Sequence, residues 1–194
     1  LLSKYTANMA AAAGSVQRGR HSPPPPLLVR VLGGNIVTTA TVLACLNTTN
    51  ATVLRRLHPA LAAAVAAVPW ADTATVVHDL TRWRAALPAA TALKLAVNAP
   101  LRCDRALEAL VGVAVLDLAR RHSVTDDVIA RLPPTLRSLN VSKCSHASRH
   151  ASFTHLGALE TLDCSDTSAV EAGLPCLPPS LRELRIHFCV LPTA

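Results

Sequence analysis

The chain has 194 residues, which is enough for one substantial hydrophobic core. Although 51% of the residues are hydrophobic, only 3% are aromatic, so a core must be built from Leu, Val and Ala, and no apolar run is long enough to cross a bilayer as a helix. The net charge of +7 is unevenly placed: eight Lys or Arg face two Asp in residues 1–87, whereas eleven basic and ten acidic residues share 88–194, which excludes a uniformly basic surface in the C-terminal half.

Residues 1–35 are predicted to form a disordered basic and proline-rich arm. Four consecutive prolines at 23–26 favour an extended polyproline II segment and cannot enter a helix interior. Aromatic side chains are scarce among the basic residues, so we expect nucleic acid to bind this arm only weakly. The N-terminus lacks the basic start and long apolar centre of a signal peptide, and we expect either that Met9 is the native start or that the chain is a fragment.

The segment 36–87 is predicted to be a small helical region that covers the edge of the strand after it. Asn50 or Thr49 can cap a helix that ends at His58, and Pro59 suits the first turn of the next helix.

A last helix of this region is predicted over 72–87, with Asp72 or Thr73 as its cap. Its predicted apolar face consists of Val76, Val77, Leu80, Trp83 and Leu87. We expect this helix to pack against the first strand.

From residue 88 onward, one pattern recurs at nearly constant spacing. The segments are ATALKLAVN (90–98), VAVLDLARR (113–121), LRSLNVSKC (136–144), LETLDCSDT (159–167) and LRELRIHFC (181–189). They align Leu93, Leu116, Leu139, Leu162 and Leu184 in one column, at intervals of 23, 23, 23 and 22 residues. The apolar triplets predict short parallel strands with inward and outward faces.

These segments resemble the L-x-x-L-x-L-x-x-N/C pattern of leucine-rich repeat proteins. LPPTLRSLNVSKC and LPPSLRELRIHFC are especially similar to the repeat proteins common in kinetoplastid protozoa. The resemblance implies an α/β fold, a solenoid of about five repeats of 22–23 residues over 88–194, preceded by the small helical cap. We expect further repeats or a partner to cover the last strand.

The outward positions of the predicted strands form a candidate binding face. The predicted partner-binding residues are Lys94, Asp117, Asn140, Asp163, Glu183, Arg185 and His187. Charges of both signs favour a protein partner, because nucleic acid binding requires a surface of one sign. We expect the C-terminal part of the face to contribute most of the binding energy.

No catalytic constellation is present in the sequence, so we expect a non-enzymatic protein without a cofactor. Cys144, His146, His150 and His155 are the nearest approach to a zinc cluster, but their spacing matches no familiar structural site, and we predict no metal. Cys103 lies between two arginines, and we expect it to serve packing rather than reactivity.

The cysteines are predicted to be reduced and structural. Cys144 and Cys189 share the ninth position of the pattern with Asn98, where we expect side chains to turn inward and satisfy backbone groups of the loop. Cys164 replaces an inward aliphatic residue. Reduced thiols are typical of a cytoplasmic or nuclear protein.

The region before the strands resembles an F-box. VLACL (42–46), VLRRLHPALAAAV (53–65) and Trp83-Arg84 follow its order of a first helix, a break and a helix leading into a basic and aliphatic third. The resemblance implies that this region contacts a Skp-type adaptor of a cullin–RING (SCF-type) ubiquitin ligase. The residues that it assigns to adaptor binding are Leu43, Leu46, Leu54 and Leu57.

Three functional hypotheses follow. The first is a protein-interaction module that acts as the substrate-recognition subunit of such a ligase. The second is a non-catalytic structural subunit of a large ribonucleoprotein or cytoskeletal assembly. The third, a secreted or surface glycoprotein, is based on the N-x-S/T sequons at Asn47, Asn50 and Asn140.

Overall fold

The computed structural model describes residues 42–101, 104–147, 151–167 and 177–189. The arm at 1–35 lies outside this part of the chain, as do Cys103 and His150. The helices are α1 (Thr48–Leu54), α2 (Pro59–Ala67), α3 (Leu80–Ala86), α4 (Asp104–Glu108) and α5 (Asp126–Ala130). The strands are β1 (Val76–Val77), β2 (Ala92–Leu95), β3 (Val115–Asp117), β4 (Ser138–Asn140), β5 (Thr161–Asp163) and β6 (Glu183–Arg185). Among the described residues, no helix combines the length and the apolar character needed to traverse a bilayer.

All six strands belong to one parallel sheet, and their order in space is their order along the chain. The predicted leucine column is a row of directly paired residues across β2 to β6: Leu93, Leu116, Leu139, Leu162 and Leu184. β1 extends the sheet on the other side of β2, where Val76 pairs with Lys94 and Val77 with Leu95.

The architecture expected from the sequence is wrong. The structure is an α/β fold with a single all-parallel sheet of six strands and few helices, not a clear leucine-rich repeat solenoid behind a helical cap. The segment 72–87, predicted to be one helix, contains β1 before α3. The two adjacent β-branched side chains of Val76 and Val77 favour an extended backbone, and the helix begins only after Asp79.

Pro59 begins α2, as predicted, whereas α1 and α3 begin at caps other than those predicted. Asn47 caps α1, because its Oδ1 accepts a hydrogen bond from the backbone N–H of Asn50 at 3.0 Å. Asp79 caps α3 by accepting from the N–H of Arg82 at 3.0 Å. Asp72 instead binds the start of α1, where its carboxylate accepts from the N–H of Thr48 at 3.0 Å and from its hydroxyl at 2.9 Å.

One hydrophobic core extends from α1 to the last strands. Leu54 of α1, Trp83 of α3 and Leu162 of β5 belong to the same cluster of buried side chains, so the described part of 36–87 shares its core with the residues after it. The inward side chains of β2 to β5 are buried, whereas Leu184 and Ile186 at β6 are only partly buried.

A turn with a left-handed residue follows each of the last four strands. Arg120, Lys143, Asp166 and Phe188 have φ values of 63°, 60°, 55° and 56°. Each lies three positions after the central outward residue of its strand, so the chain leaves β3, β4, β5 and β6 in the same way. This repeated exit fixes the rim of the outward face.

Candidate protein-binding face

The central outward residues of the six strands form one row, which we call the outward row. In the order of the strands its members are Val76, Lys94, Asp117, Asn140, Asp163 and Arg185. Five of them were predicted from the sequence. Val76 was missed, because its interval to Lys94 is 18 residues and its segment was predicted to be helical.

Two ion pairs involve charged residues of the outward row. The Nζ atom of Lys94 lies 3.1 Å from Oδ2 of Asp117 on the next strand. At the other end, Arg185 donates from Nη2 and Nε to Oε1 of Glu183, at 2.6 and 2.9 Å. Both residues of this second pair are about half exposed, so solvent screens the pair and it adds little to stability.

The middle of the outward row is held rigid by bonds to its own backbone. Oδ1 of Asp117, Asn140 and Asp163 accepts from the N–H two positions later, at 3.0, 2.9 and 3.0 Å respectively. These three side chains therefore fix the strand exits, as Asx turns do, while the second polar atom of each points away from that bond. Because these groups are already ordered, binding to them would cost little side-chain entropy.

The two predicted residues outside the outward row lie beside it. Glu183 is the first residue of β6, and His187 follows that strand, where its N–H donates to the Ser165 hydroxyl at 3.2 Å. Both side chains are exposed. Next to them, Phe188 is 88% exposed in its left-handed conformation, which makes it the most exposed of the large apolar side chains in the described chain.

The predicted adaptor-binding leucines are part of the protein core. Leu43 and Leu54 are buried, and Leu46 and Leu57 are half-buried against the same cluster. These four side chains therefore stabilise the N-terminal helices, and they present little apolar surface to an adaptor.

The ninth position of the sequence pattern forms a ladder of donors to backbone carbonyls. The thiol of Cys144 donates to the carbonyl of Leu118 at 3.2 Å, and the thiol of Cys189 donates to that of Cys164 at 3.1 Å, which confirms the inward orientation predicted for both. Asn98, predicted to do the same, is exposed.

Arg121 occupies the ninth position of the second segment and is fully buried. Its guanidinium donates to the carbonyls of Ala96 and Ala99 and to the hydroxyl of Ser123. Burial lowers the pKa of Arg121. This residue was not predicted from the sequence, although its place in the aligned column is a signal that could have found it.

The buried thiols of Cys144 and Cys164 stay protonated and are therefore poor nucleophiles. Burial raises the pKa of Cys144, and burial with the neighbouring Cys189 thiol raises the pKa of Cys164 strongly. Among the residues that came nearest to a zinc cluster in the sequence, Cys144 donates to a carbonyl, and His146 packs edge-on against His122 with ring centroids 6.3 Å apart. Within the described residues there is no group of three or more His, Cys, Asp or Glu arranged to hold a metal ion.

Comparisons of the chain with protein-family models, with curated proteins and with solved structures gave no match. The resemblances to leucine-rich repeat proteins and to the F-box are therefore untested.

Proposed function

We propose that the chain is a non-catalytic protein-binding module and that its partner docks on the outward row and the adjoining end of β6. The observation that carries the proposal is the rigid, mixed charge pattern of this face. Acidic side chains at Asp117, Asp163 and Glu183 outnumber the basic Lys94 and Arg185. A phosphate backbone is repelled by such a balance, whereas a protein surface with charges of both signs can complement it.

An apolar anchor beside the charges supports the same proposal. Phe residues are enriched in the buried centres of interfaces, and a few anchors of this kind dominate binding energy. Phe188 follows His187 in the chain, three residues after Arg185, so a partner docking at the end of β6 would bury its ring near the charged pair.

A capture experiment with matched variants tests this proposal. Asp163→Asn removes a charge but keeps the oxygen that accepts from the N–H of Ser165, and Phe188→Asn removes the ring while retaining a residue type that tolerates positive φ. We expect a partner captured by the wild type to be lost with both variants. Arg131→Ala is the control, because Arg131 pairs with Asp104 and Asp127 on the helical side of the sheet.

Two results would contradict the proposal. One is retention of the partner by both Asp163→Asn and Phe188→Asn, which would place the contact elsewhere. The other is equal loss with Arg131→Ala, which would show that the capture does not depend on this face.

The same capture separates the more specific hypotheses. Recovery of a Skp-type adaptor with a cullin would support the ubiquitin-ligase receptor, which stays a prediction, and co-purification with one large particle would support the structural subunit.

We place the protein in the cytoplasm or nucleus, since the thiols of Cys144 and Cys189 serve as hydrogen-bond donors and must be reduced to do so. A shift in mobility after endoglycosidase treatment would favour the secreted glycoprotein instead.

A further inference from the structure

A second surface lies at the opposite end of the sheet, in a groove between α1 and α3 beside β1. The groove has a volume of about 380 Å³. Val77 and Trp83 form its apolar floor and are only 4% and 7% exposed, whereas Val53 at its side is 42% exposed. The lining includes no member of the outward row, so this is a separate surface from the one proposed above.

Three arginines surround this groove. Arg55 and Arg56 follow α1, and Arg82 lies in the first turn of α3. Among the described residues, none of the three forms an ion pair, whereas Arg131, Arg137 and Arg185 in the later part of the chain are each paired with a carboxylate.

The one carboxylate in the groove does not balance these charges. Asp79 is already engaged by the backbone N–H of Arg82 as the cap of α3. The groove therefore keeps a net positive charge above an apolar floor, which is the complement of an acidic segment that contains an aliphatic side chain.

The same details argue against nucleic acid as the occupant. Single-stranded nucleic acid binds through stacking on exposed aromatic faces, but Trp83 is only 7% exposed. The guanidinium of Arg84 lies over its ring, 4.7 Å from the centroid. Charge also argues against the chain's own N-terminal residues, because 1–41 contain basic side chains and neither Asp nor Glu.

We propose that this groove binds an acidic segment of another protein, with an aliphatic side chain of that segment packed against Val53, the exposed apolar side chain of the lining. The three arginines pair with carboxylates on both sides of the insertion. The contact is independent of the outward row, so the protein joins two partners or two parts of one partner.

Fluorescence anisotropy with a synthetic peptide tests the proposal. The probe is a labelled peptide of Glu and Asp with a central Leu-Leu pair, titrated with the whole chain. We expect Arg56→Glu combined with Arg82→Glu to weaken binding by about tenfold or more, since both charges meet the peptide directly. Arg105→Glu combined with Arg182→Glu makes the same change in net charge at exposed sites outside the groove and should weaken binding by less than about threefold.

Further arms keep the test decisive. The peptide with Ser in place of both Leu should bind more weakly to the wild type, and Asp163→Asn should leave peptide binding unchanged. If the charge-reversed pair fails to fold, Arg56→Gln with Arg82→Gln replaces it.

Three outcomes would overturn the proposal. Equal losses in the two charge-reversed pairs would reduce the effect to net charge. Equal binding of the Ser peptide would show that the apolar lining is unused. Tighter binding of a labelled oligothymidine, lost in the same groove variants, would assign the groove to nucleic acid.

Discussion

Arg121 is the largest fully buried side chain of the described chain, and no carboxylate among the described residues pairs with it. Its guanidinium satisfies the carbonyls of Ala96 and Ala99, while its Nε has no hydrogen-bond partner there. Burying this charge costs desolvation energy. The hydrogen bonds offset that cost, because the planar guanidinium can donate to two loop carbonyls at once.

We predict that Arg121→Ala lowers the free energy of unfolding by about 1–3 kcal/mol, since the carbonyl of Ala99 loses its guanidinium donor and that of Ala96 keeps only the N–H of Ala99. Arg105→Ala on the exposed side of α4 is the control and should change it by less than about 0.5 kcal/mol. Urea unfolding of the three proteins measures this, and coincident midpoints for Arg121→Ala and the wild type would refute the role of Arg121.

Cys164 makes stability depend on alkaline pH. Its pKa in the folded chain is raised above the ordinary value of 9.0, so the unfolded chain releases the thiol proton first. The contribution of this thiol to stability is complete below 9.0 and is lost as the pH rises further. We predict that the free energy of unfolding of the wild type falls more steeply above that pH than that of Cys164→Ala. Parallel curves for the two proteins in urea titrations at several pH values would contradict this.

At the scale of the elements, Arg84 of α3 joins the helix to two later segments. Its Nε donates to the carbonyl of Ala109 at 2.8 Å and its Nη2 to that of Val111 at 3.0 Å. Its Nη1 donates to the carbonyls of Pro88 and Ala90, at 2.9 and 3.0 Å. One side chain therefore satisfies four carbonyls that lie between α3, β2 and β3.

We predict that Arg84→Lys costs about 2–3 kcal/mol, because a single ammonium cannot reach carbonyls in four directions. Arg82→Lys on the same helix is the matched control and should be nearly neutral, since that side chain is exposed. Thermal unfolding followed by circular dichroism distinguishes the two. If Arg82→Lys lowered the stability as much as Arg84→Lys does, the loss could not be assigned to the four hydrogen bonds of Arg84.

The elements also show what the sequence could predict. The strands β2 to β6 were predictable, because an apolar triplet recurs at 23 and 22 residues and each copy fixes its own inward and outward faces. β1 was not predictable, because a strand of two residues is too short to show an alternating pattern. In addition, Val76, Val77 and Leu80 also fit one face of a helix. The caps were misplaced by two or three residues for α1, where Asn47 and Asn50 are equally suitable in sequence, and by six or seven residues for α3.

At the scale of the whole molecule, the leucine column is closely packed from β2 to β5 and less buried at β6. Leu139 is 1% exposed between two neighbouring strands, whereas Leu184 is only partly buried on the last strand. We predict that Leu139→Ala lowers the free energy of unfolding by about 2–5 kcal/mol and that Leu184→Ala lowers it by clearly less. Urea unfolding of both variants is the measurement, and a larger loss for Leu184→Ala would contradict this gradient.

The candidate face was predictable in outline and unpredictable in detail for the same reason. Alternation along each strand is a local property, and it is enough to place Lys94, Asp117, Asn140, Asp163 and Arg185 on the outward side. The ion pair between Lys94 and Asp117 depends on contacts across 23 residues of chain, as does the burial of Arg121 against Ala96 and Ala99 across 25 and 22 residues. The alternation of residues within one strand gives no information on contacts between residues so far apart in the chain.

The unbroken order of the sheet has a mechanical consequence. Every strand is hydrogen-bonded only to the strands before and after it in the chain. A force that pulls the two ends of the chain apart therefore separates one pair of strands at a time. Releasing β6 from β5 frees the stretch of chain between Thr161 and Glu183, and separating each earlier pair of strands, from β5 back to β2, frees a stretch of similar length. At ~3.5 Å per extended residue, each of these steps lengthens the molecule by roughly 80 Å. A partner bound across neighbouring strands would hold those strands together. Under tension the chain would then extend in steps of equal length, and the strands in contact with the partner would separate last.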